Sequence, residues 1–260
     1  MFIKSRQNEV YRKALKLKDK KFRNEFGSFL VEGKKQIEAI SFDWEIEVVF
    51  VTPNFDCSYL KNCKPIILPE NLFNKLVNTK TPQGIVAVVK KNSYQIEKIV
   101  KKNGVFVLLE SLQDPSNIGS IIRCADAFGA AAVFVSAESA DIYCEKAVNV
   151  SMGSLFHLPV IDNVEISDIL YKLKNEKIKV FAASLKAKKF LNEIKIPQKS
   201  AFLIGNESKG LKAETEKLVD DKIKIKMKGK AESLNAAIAA SIIMYEYQCN
   251  SLVLKNLVQS

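Results

Sequence analysis

Residues 104–130 read GVFVLLESLQDPSNIGSIIRCADAFGA, and the change of pattern inside this stretch decides the fold. Val105 to Leu109 are an unbroken apolar run of strand length, as in a strand covered on both faces. After a polar loop, Pro115 with Ser116 or Asn117 marks a helix start. Ile118, Ile121, Ile122, Ala125 and Phe128 then recur at helical spacing until Gly129. Outward from here the alternation continues: AAVFVS (131–136), IKVFAAS (178–184), AFLIG (201–205) and IKIKM (223–227) are strand-like runs separated by helical segments. The expected class is α/β, a mostly parallel sheet covered by helices.

Toward the N-terminus, FLVEG (29–33), IEVVFV (46–51), PIILP (65–69) and GIVAVV (84–89) alternate with the helical patterns KKQIEAISF (34–42) and ENLFNKLVN (70–78), which reads as a smaller α/β unit. The polar stretch KKNSYQIEKIVKKN (90–103) separates the two. The expected layout is a first domain over 1–95, a connector over 96–103 with a short helix, and a second domain over 104–260.

Among 260 residues, 47% are hydrophobic and only 10 are Gly and 7 Pro, which excludes collagen-like and wholly disordered chains. No apolar stretch has the length of a signal peptide or a membrane span, so the expected location is the cytoplasm, away from membranes. Cys57, Cys63, Cys124, Cys144 and Cys249 form no C-x-x-C pair and are expected to be reduced core thiols.

The net charge is +11, unevenly spread. Residues 1–24 hold nine Lys or Arg against Glu9 and Asp19, and Lys222, Lys224, Lys226, Lys228 and Lys230 alternate with Ile223, Ile225 and Met227. Period two predicts a strand with lysines on one face. Charge alone fits a nucleic-acid partner, whose phosphates reward such surfaces, and equally a lysine-rich background with solvated faces.

Ligands of open α/β sheets bind beyond the carboxyl ends of strands, and three such loops stand out. In the first, Arg123 lies off the buried stripe, one turn after Gly119; its side chain leans toward the helix start, so it is either a crevice residue or an ordinary surface arginine. The second, FLIGNESKGL (202–211), lets a ligand approach backbone at Gly205 and Gly210. Leu211 stands where a phosphate-binding G-x-x-x-x-G-K-[ST] loop needs its lysine, which excludes that class. The third, MKGKAESLNAAIAASIIMYE (227–246), leads through Ser233, a cap or near-cap, into an Ala-rich helix that is apolar nearly all round. Ser233 and Asn235 fit pure capping as well as a site. A dinucleotide-binding G-x-G-x-x-G is absent after the 105–109 strand. His157, between Phe156 and Leu158 and outside all three loops, is expected to be structural, as are Cys124 and Trp44.

Taken together, N-I-G-S-I-I-R (117–123), I-G-N-E-S-K-G-L (204–211) and S-L-N (233–235) ahead of an Ala-rich helix closely resemble the three motifs of the SpoU/TrmH family. That family comprises RNA ribose 2′-O-methyltransferases of the SPOUT class. FRNEFGSFLVEGKKQIEAI (22–40) looks like the opening of the family's ribosomal-protein-like substrate-binding domain. The resemblance implies a trefoil knot in the parallel-sheet C-terminal domain and a homodimer. It implies S-adenosylmethionine held by backbone at Gly205, Ile225 and Leu234 with Met227 nearby, and no metal. It also implies Arg123 as the catalytic residue activating the hydroxyl, with Asn117, Glu207, Ser233 and Asn235 shaping the site. Structured RNA is the implied substrate: ribosomal RNA first, transfer RNA as the alternative, with a non-catalytic RNA-binding or assembly role as the rival from another class.

Overall fold

The structure, a computed structural model, describes residues 1–258 apart from 59, 61–63 and 80, with side chains as far as residue 250. Cys63 lies outside the described residues. Two compact units are formed, one by Met1–Asn92 together with Asp141–His157, the other by Ser93–Ala140 with Leu158–Ser260.

The first unit opens with α1 (Glu9–Lys16) and α2 (Lys20–Phe26), whose N-caps Asn8 and Asp19 accept from Tyr11 N and Lys21 N; Gly27 ends α2 in the left-handed region at φ +62°. There follow β1 (Ser28–Glu32), α3 (Lys34–Glu38), β2 (Ile46–Val51), β3 (Ile66–Ile67), α4 (Glu70–Leu76) and β4 (Ile85–Lys90). The sheet order is β1-β4-β2-β3, with β4 antiparallel to both neighbours. Tyr11, Leu17, Phe50, Leu72, Phe73 and Val86 form the core between α1, α4 and the sheet.

The second unit begins with α5 (Ile96–Ile99), the short helix expected within the connector, then β5 (Val105–Leu109), α6 (Pro115–Ala127) and β6 (Ala132–Ser136). Residues 141–157, carrying α7 (Glu145–Ser151), belong to the first unit. There Phe29 lies against Tyr143 at 4.7 Å between ring centroids, and Trp44 meets Phe156 edge-on at 5.1 Å. Trp44 is thus a core residue, and His157 is exposed just past a 3-10 turn over Ser154–Phe156. The second unit resumes with β7 (Val160–Val164), α8 (Ile166–Asn175), β8 (Lys179–Ala183), β9 (Lys189–Phe190), β10 (Ser200–Ile204), α9 (Ala213–Leu218), β11 (Asp221–Lys224) and α10 (Ala236–Val258).

Its seven strands run parallel in the order β7-β6-β5-β10-β8-β11-β9. Every residue of β5, β6 and β10 is buried, as unbroken apolar runs require when helices cover both faces. Alternation puts Phe106, Leu108 and Leu203 in one core with Ile169, Leu170 and Leu173 of α8, while Phe202 faces the other way, 6.4 Å from the ring of Tyr247 on α10.

Three details depart from the sequence reading. The cap of α6 is Asp114, whose carboxylate accepts from Ser116 N at 2.9 Å. The lysine run leaves the sheet after Lys224, so Lys226, Lys228 and Lys230 lie on a loop and not on a strand face. The described cysteines, Cys57, Cys124, Cys144 and Cys249, are free but only half-buried.

Candidate active site

Because all strands of the second unit are parallel, the loops after β5, β10 and β11 emerge on the same side, and the chain uses each differently. After β10, Gly205 is followed by a tight loop closed by Asn206 N to Gly210 O at 3.0 Å and Gly210 N to Asn206 O at 2.9 Å. The Asn206 side chain accepts from Ser208 N and Lys209 N and donates to Ser111 O at 2.8 Å, which ties this loop to the one after β5. A Cβ on Gly205 would meet the Gly210 carbonyl carbon at 2.7 Å and its oxygen at 2.8 Å, so only glycine permits this closure. Gly210 turns at φ +73°.

Glu110, at the end of β5, fixes the far side of the same loop. Its buried carboxylate accepts from Lys212 N at 2.8 Å and Thr215 Oγ1 at 3.0 Å, while Oε1 has no partner among the described residues. Burial pushes its pKa above the usual carboxylate range, against the pull of those donors.

A cavity of about 390 Å³ lies between this loop, the chain leaving β11 and the start of α10. Gly205, Ile225, Met227 and Leu234, the four residues expected to hold a cofactor, all line it, as do Glu207 and Ser233. Asn117 and Asn235 do not line it but are joined to it. Asn117 Nδ2 donates to Glu207 Oε1 at 2.7 Å, and Asn235 Nδ2 donates to Asn117 Oδ1 at 2.9 Å. Asn235 Oδ1 in turn accepts from Ala237 N at 2.9 Å and Ile238 N at 3.3 Å. Asn235, not Ser233, is therefore the cap of α10, and one asparagine couples the helix start to the loops after β5 and β10. Asn117 sits buried on the inner face of α6, which helical periodicity assigned to Ile118 and its neighbours alone.

Arg123 stands apart from this chain of bonds. It is exposed, six residues beyond Asn117 and about 120° around the helix from it, and makes no hydrogen bond or ion pair among the described residues. The guanidinium is therefore available to an incoming group.

The donor set fits an amphipathic cofactor. The cavity offers apolar side chains at Leu211, Ile225, Met227 and Ile243, backbone approachable at Gly205, and a carboxylate at Glu207. Among the described residues no three His, Cys, Asp or Glu are grouped to hold a metal, and no helix is long and apolar enough to cross a membrane. Asn206 and Glu110 were not identified as site residues from sequence. The signal for Glu110 was a carboxylate directly after a fully apolar strand, a place where charge must find a partner.

Comparisons with known proteins agree with this architecture. Residues 104–245 match the SpoU rRNA Methylase family, and residues 8–87 match the MRM3-like substrate binding domain. The 23S rRNA (guanosine(2553)-2′-O)-methyltransferase RlmP of Bacillus subtilis is 31% identical over 246 residues, 94% of this chain and 97% of its own. The 23S rRNA (uridine(2479)-2′-O)-methyltransferase of Streptomyces viridochromogenes is 30% identical, covering 86% of this chain and 83% of its own. Among solved structures, the AdoMet-bound rRNA methyltransferase of Sinorhizobium meliloti superposes with a TM-score of 0.86 at 26% identity, over 96% of this chain and 97% of that one. AviRb of Streptomyces viridochromogenes with AdoMet gives 0.86 at 28% identity, over 95% and 99%. With both units and all three site loops accounted for, the chain belongs to the SpoU rRNA methylase family.

Proposed function

We propose that this protein methylates a ribose 2′-hydroxyl of structured RNA, with S-adenosylmethionine as donor and ribosomal RNA as substrate in preference to transfer RNA. The observation that carries the reading is the convergence of Asn117, Glu207 and Asn235 into one hydrogen-bonded chain at a cavity lined by Gly205, Ile225, Met227 and Leu234. Two relatives aligned over most of their length are named as 23S rRNA 2′-O-methyltransferases, which favours ribosomal RNA.

When bound, S-adenosylmethionine supplies an electrophilic methyl on a sulfonium. The chain's own task is to orient the hydroxyl in line and assist loss of its proton. Arginine stays protonated at any accessible pH, so Arg123 acts by gripping an RNA phosphate and polarising the hydroxyl, and the proton leaves to that phosphate or to water. Asn117, held between Glu207 and Asn235, keeps the site loops in register, and Ser233 lies at the cavity edge.

The reading includes three further parts. The N-terminal basic segment and first unit, proposed as the domain over 1–95, select the RNA, and the domain over 104–260 carries the knot expected from the family resemblance. The molecule works as a homodimer in the cytoplasm. Support for the dimer comes from α10, where Ile238, Ile242 and Tyr245 recur at helical spacing yet are 52%, 36% and 57% exposed, with Phe128 of α6 edge-on to Tyr245 at 6.0 Å. The function is tested by incubating the protein with radiolabelled S-adenosylmethionine and, separately, unmodified ribosomal and transfer RNA. Label on ribosomal RNA supports the reading, and label on transfer RNA alone supports the alternative. Cofactor binding without transfer to either RNA, or to ribosomal subunits, supports the non-catalytic role.

A further inference from the structure

The sheet edge beside the cofactor cavity carries positive charge that has no carboxylate partner among the described residues. Lys186, Lys209 and Lys224 line the cavity, and Lys186 and Lys209 are exposed, so they stand at its opening. Beside them β9 is the edge strand, and its Phe190 is paired in register with Lys224 of β11. The half-buried Phe190 ring sits under two ammonium groups at once, Lys224 at 4.9 Å and Lys226 at 5.5 Å from its centroid. A ring face attracts a cation, but two cations over one ring also repel each other, and an anion beside them relieves that repulsion. The nearby carboxylates are already engaged. Asp221 pairs with Lys179 at 3.4 Å and Lys189 at 2.6 Å, Glu216 with Lys222 at 2.7 Å, and Glu207 accepts from Asn117. Lys186 adds to the pull of Lys222 on the Glu216 carboxyl without pairing with it. Lys186, Lys209, Lys224 and Lys226 thus make no ion pair among the described residues.

We propose that these four lysines form a rim that grips phosphates of the substrate RNA at the opening of the cofactor cavity. The cofactor itself is a poor match for them. S-adenosylmethionine sets a sulfonium and an ammonium against one carboxylate and so carries one net positive charge, which four unpaired lysines oppose. An RNA backbone instead brings a negative charge at every nucleotide, and neutralising several of them at neighbouring positions is what a row of separate ammonium groups does well. The inference rests on the RNA-methylation reading and adds to it a phosphate-binding surface on the catalytic unit, formed by residues other than the N-terminal basic segment.

The test combines Lys186→Gln, Lys224→Gln and Lys226→Gln in the full chain, and a second variant carries Arg at the same three positions, which keeps the charge. Binding of an unmodified ribosomal RNA transcript is measured by filter binding over a salt series. Binding of S-adenosylmethionine and of S-adenosylhomocysteine is measured without RNA by isothermal titration. The Gln variant is expected to lose about 2–3 from the slope of log affinity against log salt, from roughly 0.7–0.9 for each of three phosphates. The Arg variant is expected to keep the native slope, and neither variant to bind the cofactor more weakly. An unchanged slope in the Gln variant, or an equal loss in the Gln and Arg variants, overturns the proposal and leaves the methylation reading standing. An unchanged slope with a several-fold loss of affinity for both small molecules assigns the rim to the cofactor's carboxylate instead. A native chain that binds no RNA at any salt concentration overturns the methylation reading and the proposal together.

Discussion

Gly205 shows how one missing side chain shapes the site: the loop after β10 folds back so that the Gly210 carbonyl group occupies the space of a Cβ. Forcing such a clash costs about 1–3 kcal/mol, so Gly205→Ala is expected to weaken S-adenosylmethionine binding roughly tenfold or more, since 1.4 kcal/mol is a factor of ten. Isothermal titration checks it, and unchanged affinity would remove Gly205 from the account. Glu110 gives a pH signature. Its carboxyl holds a proton more tightly folded than unfolded because it is buried. Its contribution to stability is therefore fully present below the unfolded pKa and is lost as pH rises through the raised folded value. Glu110→Gln is expected to flatten the fall in unfolding free energy between mildly acidic and neutral pH, measured by urea denaturation. Gly205, Gly210 and Arg123 stand out in sequence because each breaks a pattern, whereas Glu207 is marked only by the family resemblance. Asn117 bonding to both Glu207 and Asn235 could not be read there, because residues 90 and 118 positions away meet only through tertiary structure.

At the scale of elements, β5, β6 and β10 matched their apolar runs closely, since a strand buried on both faces leaves little ambiguity in sequence. The lysine alternation misled at 225–230 because period two is also available to an extended loop; the chain there leaves the sheet, and Ile225 and Met227 line the cavity. Arg23, counted among the N-terminal basic residues, is in fact buried and paired with Asp141 at 2.7 Å, and its Nη1 donates to Leu17 O and Lys18 O. It is an internal tie, not part of an RNA-facing surface. The exposed stripe of α10 carries its own prediction. Ile242→Glu places a charge in the proposed dimer interface and is expected to yield a monomer in sedimentation analysis, with the fold retained by circular dichroism. A dimer of undiminished stability would move the interface elsewhere.

For the molecule as a whole, the main surprise is residues 141–157, which follow β6 in sequence yet pack in the first unit, with Tyr143 and Phe156 on Phe29. Contiguous apolar patterning gives no sign of such an excursion, because it depends on which surface covers the segment. Cutting the chain near residue 92 would therefore uncover aromatic core, and charge substitution is the cleaner probe of RNA binding. Lys4, Arg6, Arg12, Lys20 and Lys21 are all exposed. Changing them together to Gln is expected to weaken RNA binding and to lower the slope of log affinity against log salt by roughly 0.7–0.9 for each RNA phosphate that the variant leaves unneutralised. An unchanged slope in filter binding would place the RNA on another surface. Transfer of a methyl to ribose by Arg123 and the three-loop site is checked by mapping label from S-adenosylmethionine on unmodified ribosomal RNA with the native chain, Arg123→Lys and Arg123→Ala. Label is expected on a ribose 2′-oxygen, with a fall on the order of 10²-fold or more in Arg123→Ala and a loss in Arg123→Lys despite its retained charge, and with cofactor affinity unchanged in both. Label on a base, or full turnover in Arg123→Ala, would contradict this role of the site.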